Sequence, residues 1–380
     1  LTMGRVIDAF RAIIKSEEGL TIHITRAALY LTLAILQPIA MYFSFSRGPL
    51  LGFGASAVFF VMLCVMLMVY KRRLRLILVS LIIAVGVLGA AGLMVLNIEN
   101  GPLQSLRQSP LFGRFGLLLN PESNSALVRK YIWEGAANLV EPHDPISYPD
   151  GSTDSFNFLR PLIGYGPESM YVAFNPFYVP ELGHVEKRNA SPDRSHNETW
   201  DTLIITGFLG FLIYSILFMS IFYYGLKWLG LIQSNIQKIL FWCTTLGGGI
   251  IGAGFLIAWG GVEWFGLGLP FGIVIGLVFV FLPVAAFTRY NLPESSSAAA
   301  RVLIISMLLS AVLAHYLEIN FGIAIAVTRT YFWIFSALLL LVGVILPQKG
   351  VYHENTTLAQ PSDQPGASNL GDQPSPQSGV

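Results

Sequence analysis

Roughly eight stretches of about 20 apolar residues recur along this chain, and they constrain its fold more than any other feature. They run Ala27–Phe45, Pro49–Tyr70, Leu76–Leu96, Thr202–Tyr224, Ile239–Gly260, Leu269–Phe287, Val302–Ile319 and Ile325–Leu346. In lipid every backbone polar group must be satisfied internally, so segments of this length cross as helices. Glycine is frequent within them, as at Gly248 and Gly252, and small residues let membrane helices approach closely. The prediction is an all-α polytopic membrane protein with about eight transmembrane helices. Charged residues make up 12% of the 380, about half the share of an ordinary globular chain, and the mean hydropathy is +0.61. A single soluble domain, a nucleic-acid binder and a disordered scaffold are excluded on that ground. Cys64 and Cys243 lie inside apolar runs and read as small hydrophobes, without a disulfide framework, zinc spacing or thiol chemistry.

Sidedness follows from Lys and Arg, which gather in cytoplasmic loops. Lys71, Arg72, Arg73 and Arg75 stand between the second and third runs. Alternation then places Lys227, Lys238, Arg289, Arg301 and Lys349 on the same side. The expected organisation is a cytoplasmic segment 1–26, three membrane helices in 27–96 and an extracytoplasmic loop 97–200. Five further membrane helices fill 201–346, and a disordered cytoplasmic tail covers 347–380. In the loop, acidic residues outnumber basic ones, and its length predicts a small folded cap rather than structureless chain. Ser125–Val140 reads as an amphipathic helix with Leu127, Tyr131, Trp133 and Val140 among its apolar positions.

Four features on the loop side carry candidate chemistry. Ser46-Arg47-Gly48-Pro49 joins the first two membrane helices, and an arginine there can fork onto phosphate oxygens or simply snorkel to the interface. Arg129 and Trp133 share one helix face at i, i+4 spacing, as a substrate platform or as a cation–aromatic packing pair. Gly164-Tyr165-Gly166-Pro167 can approach a ligand closely or form an ordinary turn. Ser195-His196-Asn197-Glu198 offers an imidazole that titrates near neutrality, or a helix cap with His196 beside it. At membrane depth, His315, Glu318, Arg329 and Glu263 should face a cavity or one another, with Glu318–Arg329 expected as a structural pair. Asp144, Asp150 and Asp154 read as turn residues, so no metal site is predicted.

The order of these motifs, ending in an Ile-Thr-Gly-Phe-Leu-Gly-Phe helix from Ile205, resembles the O-antigen ligase and polymerase superfamily of the WaaL/Wzy type over about Phe45–Leu226. The resemblance implies a glycosyltransferase of the bacterial inner membrane. Its donor would be a polyprenyl-diphosphate-linked glycan and its acceptor a hydroxyl-bearing glycan or lipid, with neither cofactor nor metal. Arg47 and Arg129 would hold the diphosphate, and His196 would take the acceptor proton, inverting the anomeric carbon. Tyr165, Gly166, Asn197, Trp133 and Arg329 complete the expected substrate contacts. A polysaccharide polymerase is the near alternative; a transporter or flippase of lipid-linked sugars and a non-enzymatic scaffold are the distant ones. Relatives carry several membrane helices ahead of the Ser-Arg-Gly turn where this chain has one, and residue 1 is Leu, so an N-terminally truncated piece is expected.

Overall fold

The computed structural model describes residues 2–15, 19–44, 46–109, 113, 115–117, 123–148, 150–187, 190–287 and 296–346, with backbone alone at Lys15, Arg47, Leu117, Ser296 and Ser297. The tail 347–380, Arg289 and the guanidinium of Arg47 lie outside that description. Among the described residues every regular element is helical, and one isolated bridge joins Ser147 to Thr153.

The long helices are α1 (Thr2–Lys15), α2 (Leu20–Phe43), α3 (Arg47–Met68), α4 (Arg72–Asn97), α5 (Asn124–Val140), α6 (Glu198–Trp228), α7 (Asn235–Gly260), α8 (Phe265–Phe279), α9 (Phe281–Phe287), α10 (Ser296–Glu318) and α11 (Ala326–Leu340). Among the described residues eight helical stretches are long and apolar enough to cross a bilayer, α8 and α9 forming one of them. This is a multi-pass membrane protein. Polar side chains cap the starts of two spanning helices, Asn197 at α6 and Ser234 at α7. Ser234 accepts from the Gln237 N–H while the Gln237 side chain accepts from the Ser234 N–H, a reciprocal cap that starts α7 four residues before its apolar run.

Two kinds of packing hold the bundle. Between α7 and α8, Gly248 and Gly252 face Gly268, Gly272 and Gly276; a methyl group on Gly272 would sit 2.1 Å from the Gly248 carbonyl. Elsewhere large side chains interlock, with Phe59 and Met62 of α3, Phe281 of α9 and Leu309 and Val312 of α10 all buried. At the end of the last span the chain widens into a five-residue π-helix, Leu341–Ile345, where Arg301 donates to the carbonyls of Val342 and Gly343 at 2.9 Å.

The segment expected at 1–26 as a cytoplasmic arm contains α1, which packs antiparallel along α2. The Thr2 hydroxyl donates to Gln37 Oε1 at 2.9 Å, Gly4 lies against Met307 of α10, and Val6 and Ala9 are buried. Its amphipathic face therefore covers the bundle.

Helix α6 is not continuous. Gly207 has φ 64° and ψ −171°, outside the helical range, nine residues after Glu198. Its first seven residues, Glu198–Ile204, are all buried, whereas Phe208, Leu209, Leu212 and Ile213 are exposed. What buries the first turns is the connection between α4 and α6. Its described residues form α5 and several single turns around Trp133, Leu139, Phe174 and Leu182, a cluster that continues into Trp200 and Ile204 of α6 and Leu267 of α8.

Candidate functional site

The loop before α6 is built around Ser195, His196 and Asn197. Asn197 caps the helix: its Oδ1 accepts from the Trp200 N–H at 3.1 Å. Its two amide protons go to the carbonyls of Gly266 at 2.9 Å and Asn320 at 3.0 Å, and the residue is fully buried. Asn197, expected as a substrate contact, thus spends its side-chain amide on three connections of the protein itself. Ser195 is equally buried. Its N–H donates to Asp201 Oδ1 at 2.7 Å, and its hydroxyl lies 2.7 Å from the same oxygen. Between these two anchored neighbours His196 adopts φ 58°, the left-handed region that residues other than glycine seldom occupy.

Helix α5 joins this loop through Trp133. Its indole N–H donates to the Ser195 carbonyl at 2.9 Å, and its ring packs edge-on to Trp264 at 5.8 Å. Trp133, expected as a substrate contact, is buried. One turn earlier on the same face stands Arg129, half-buried and within electrostatic reach of His196. Burial first, and then the Arg129 charge, hold the His196 imidazole below its ordinary range, against opposing pulls from Asp193 and Glu186. The ring is thus neutral at neutral pH, the form that accepts a proton.

The Ser-Arg-Gly turn reaches the same place from another direction. Arg47 opens α3, and a methyl group on Gly48 would lie 3.2 Å from Phe321 Cβ and 3.3 Å from the Glu318 carbonyl. The residues between those two neighbours bind the histidine loop. The Ile319 carbonyl accepts from the Glu198 N–H at 3.1 Å, and the Asn320 carbonyl accepts from Asn197. The turn after α10 is therefore shared by the backbones beside Arg47 and beside His196.

Arg329 pairs with Glu198 at 2.9 Å and donates from Nε to the Ala324 carbonyl at 3.2 Å. The expected partner was Glu318; the pairing differs because Glu318 faces another cavity, of about 480 Å³, bordered by Pro49, Phe53 and His315. The Glu198–Arg329 pair instead borders a cavity of about 310 Å³ with Thr202, Thr206, Tyr214 and Trp333. Charge at such depth needs a partner, and Glu198 supplies it from 131 positions away.

Tyr165 and Gly166, expected as substrate contacts, dock on α6 through their backbones. Their N–H groups donate to the carbonyls of Ile204 and Ile205 at 2.7 and 3.0 Å. In an unbroken helix these carbonyls face donors four residues on, and the break at Gly207 parts those turns. A methyl on Gly164 would meet Ile205 at 2.5 Å, and one on Gly207 would meet Leu162 at 2.3 Å, so the two backbones touch. The Tyr165 hydroxyl lies 2.8 Å from His143 Nε2. His143 Nδ1 is 2.6 Å from the Asp144 carbonyl, which can only accept, so Nδ1 carries a proton. Burial pushes the Tyr165 phenol up to about 12, keeping it a donor at neutral pH. Asp154 starts a turn as expected, its Oδ1 accepting from the Phe156 N–H at 3.0 Å and its carbonyl from the Asn157 N–H at 3.2 Å; it is also buried and held below the usual carboxylate range by a forked contact from Arg160 at 2.7 and 2.9 Å. Asp150 closes a second turn, accepting from the Ser152 N–H at 2.9 Å.

Among the described residues no three of His, Cys, Asp and Glu gather closely enough to ligate a metal ion. Glu198, named above only as part of its motif, and Asp201, Asn320 and His143 are given no role by the sequence. The signal for the first two was present, since acids in the first turn of an apolar helix require buried partners. No protein-family model, curated protein or solved structure matches the chain.

Proposed function

We propose that this chain is a glycosyltransferase of the O-antigen ligase type, moving a glycan from a polyprenyl-diphosphate carrier to an acceptor hydroxyl. The observation that carries the reading is Arg129 beside a neutral His196, with the Arg47 turn seated against the same α10–α11 connection. In this reading His196 takes the acceptor proton as the oxygen attacks the anomeric carbon, and the diphosphate leaves with its charge compensated by guanidinium groups. Arginine suits that place because it stays cationic near lipid and forks onto phosphate oxygens. The 480 Å³ cavity beside Pro49 and Phe53 gives an isoprenoid chain room directly after Arg47.

The basic residues Lys71, Arg72, Arg73, Lys227 and Lys238 stand at the opposite helix ends, which favours a cytoplasmic assignment there. The folded connection before α6 then becomes an extracytoplasmic cap, and the membrane the bacterial inner membrane. The ionisable groups cluster at one end of the bundle instead of its middle, which favours surface chemistry over alternating access.

The test uses the protein in nanodiscs with a lipid-diphosphate glycan, acceptor being supplied by membranes of the producing cells. Arg47→Lys keeps the charge and loses the fork, so turnover should fall by about 10²-fold, the low end of the loss seen for single charge-stabilising donors. Unchanged turnover would remove Arg47 from the site.

A further inference from the structure

The α4–α6 connection contains a segment whose polarity is inverted. Among residues 154–163 the charged pair is turned inward: Asp154 is 5% exposed, and Arg160 is spent on Asp154 and on the Gly164 carbonyl at 3.1 Å. The apolar side chains point out, with Phe158 77% exposed and Phe156, Leu162 and Ile163 also exposed. Water would favour the reverse arrangement.

The depth of the segment explains the inversion. Leu162 and Ile163 lie against Gly207, past the buried first turns of α6 and level with the start of its exposed apolar surface at Phe208 and Leu209. Thr206, beside Gly207, lines the same cavity as Trp333, seven residues inside α11, or about 10 Å below that helix's start. Leu162 and Ile163 thus lie at the depth where α6 begins to present exposed apolar side chains. The backbone also meets the demand that lipid makes of irregular chain. The N–H groups of Leu159, Gly164, Tyr165 and Gly166 all have carbonyl partners, the last two on the broken helix itself.

We propose that residues 156–163 are a membrane-inserted wedge whose partner is the acyl-chain region of the bilayer at the leaflet next to the α4–α6 connection. Phe156, Phe158, Leu162 and Ile163 enter the headgroup–acyl boundary, as the apolar face of an interfacial helix does. The Asp154–Arg160 pair closes the wedge from within, and the Gly164–Gly207 contact fixes it to α6. The wedge rests on the multi-pass fold and stands whether or not the chain transfers glycans.

Spin labels test it in the full chain, reconstituted in phosphatidylcholine vesicles with Cys64 and Cys243 changed to Ala. Single labels go at Phe158→Cys, at Ile213→Cys as the lipid-facing reference and at Asn138→Cys as the aqueous one; Phe156→Cys serves if Phe158→Cys fails to fold. The ratio of oxygen to nickel-chelate collision should rise at Phe158 toward the Ile213 value. A ratio equal to that at Asn138 overturns the wedge in favour of a water-facing loop. Low collision with both reagents also overturns it, in favour of a covering protein surface.

Discussion

The indole N–H of Trp133 donates to the carbonyl of Ser195 at 2.9 Å, tying the helix that carries Arg129 to the residue before His196. Trp133→Phe keeps most of the apolar volume and leaves that carbonyl without this donor. A buried acceptor stranded in this way costs about 1–3 kcal/mol. The melting temperature in detergent should fall, and turnover should fall with it as the imidazole loses its fixed position. An unaltered melting temperature would show that the bond does not hold the loop.

The neutral imidazole makes a pH prediction. His196 sits below its ordinary value of 6.5 because of burial and Arg129. The folded chain therefore binds this proton less readily than the unfolded chain. The stability linked to the group is complete above that ordinary value and is lost as pH falls through it toward the folded value. The acid limb of the transfer rate should lie below pH 6.5 in the wild type. Arg129→Gln removes a positive neighbour and should move the limb upward. A limb that stays put in rate measurements across pH would separate the two residues.

Gly207 joins the broken helix to the Tyr165 loop. Its φ is 64°, and an added methyl would meet the Leu162 carbonyl carbon at 2.3 Å. Gly207→Ala thus combines strained backbone with a clash and should cost more than about 1 kcal/mol. Limited proteolysis should cut within residues 150–187 faster than in the wild type. Equal cutting would mean that the loop docks on α6 without this contact.

The spans were legible in the sequence because hydropathy is a one-dimensional property, and helix α5 because its apolar spacing is. Partnerships were not. Arg329 stands closer in sequence to Glu318, yet it pairs with Glu198, since pairing depends on how α6 and α11 cross. The Gly-Tyr-Gly stretch reads as a ligand loop, but its donors are consumed by carbonyls at a helix break that no periodicity announces. Asn197 was legible as a helix cap, whereas its bonds to Gly266 and Asn320 exist only once three separate connections meet.

Lipid extracts from cells that carry either the wild-type gene or His196→Ala test the transfer chemistry most directly. General-base removal lowers such a step by about 10²–10⁴-fold. With equal amounts of protein in the membrane, mass spectrometry should find lipid-diphosphate glycan accumulating and its glycoconjugate product lost in His196→Ala. Donor and product at wild-type levels in both strains would contradict the transferase reading.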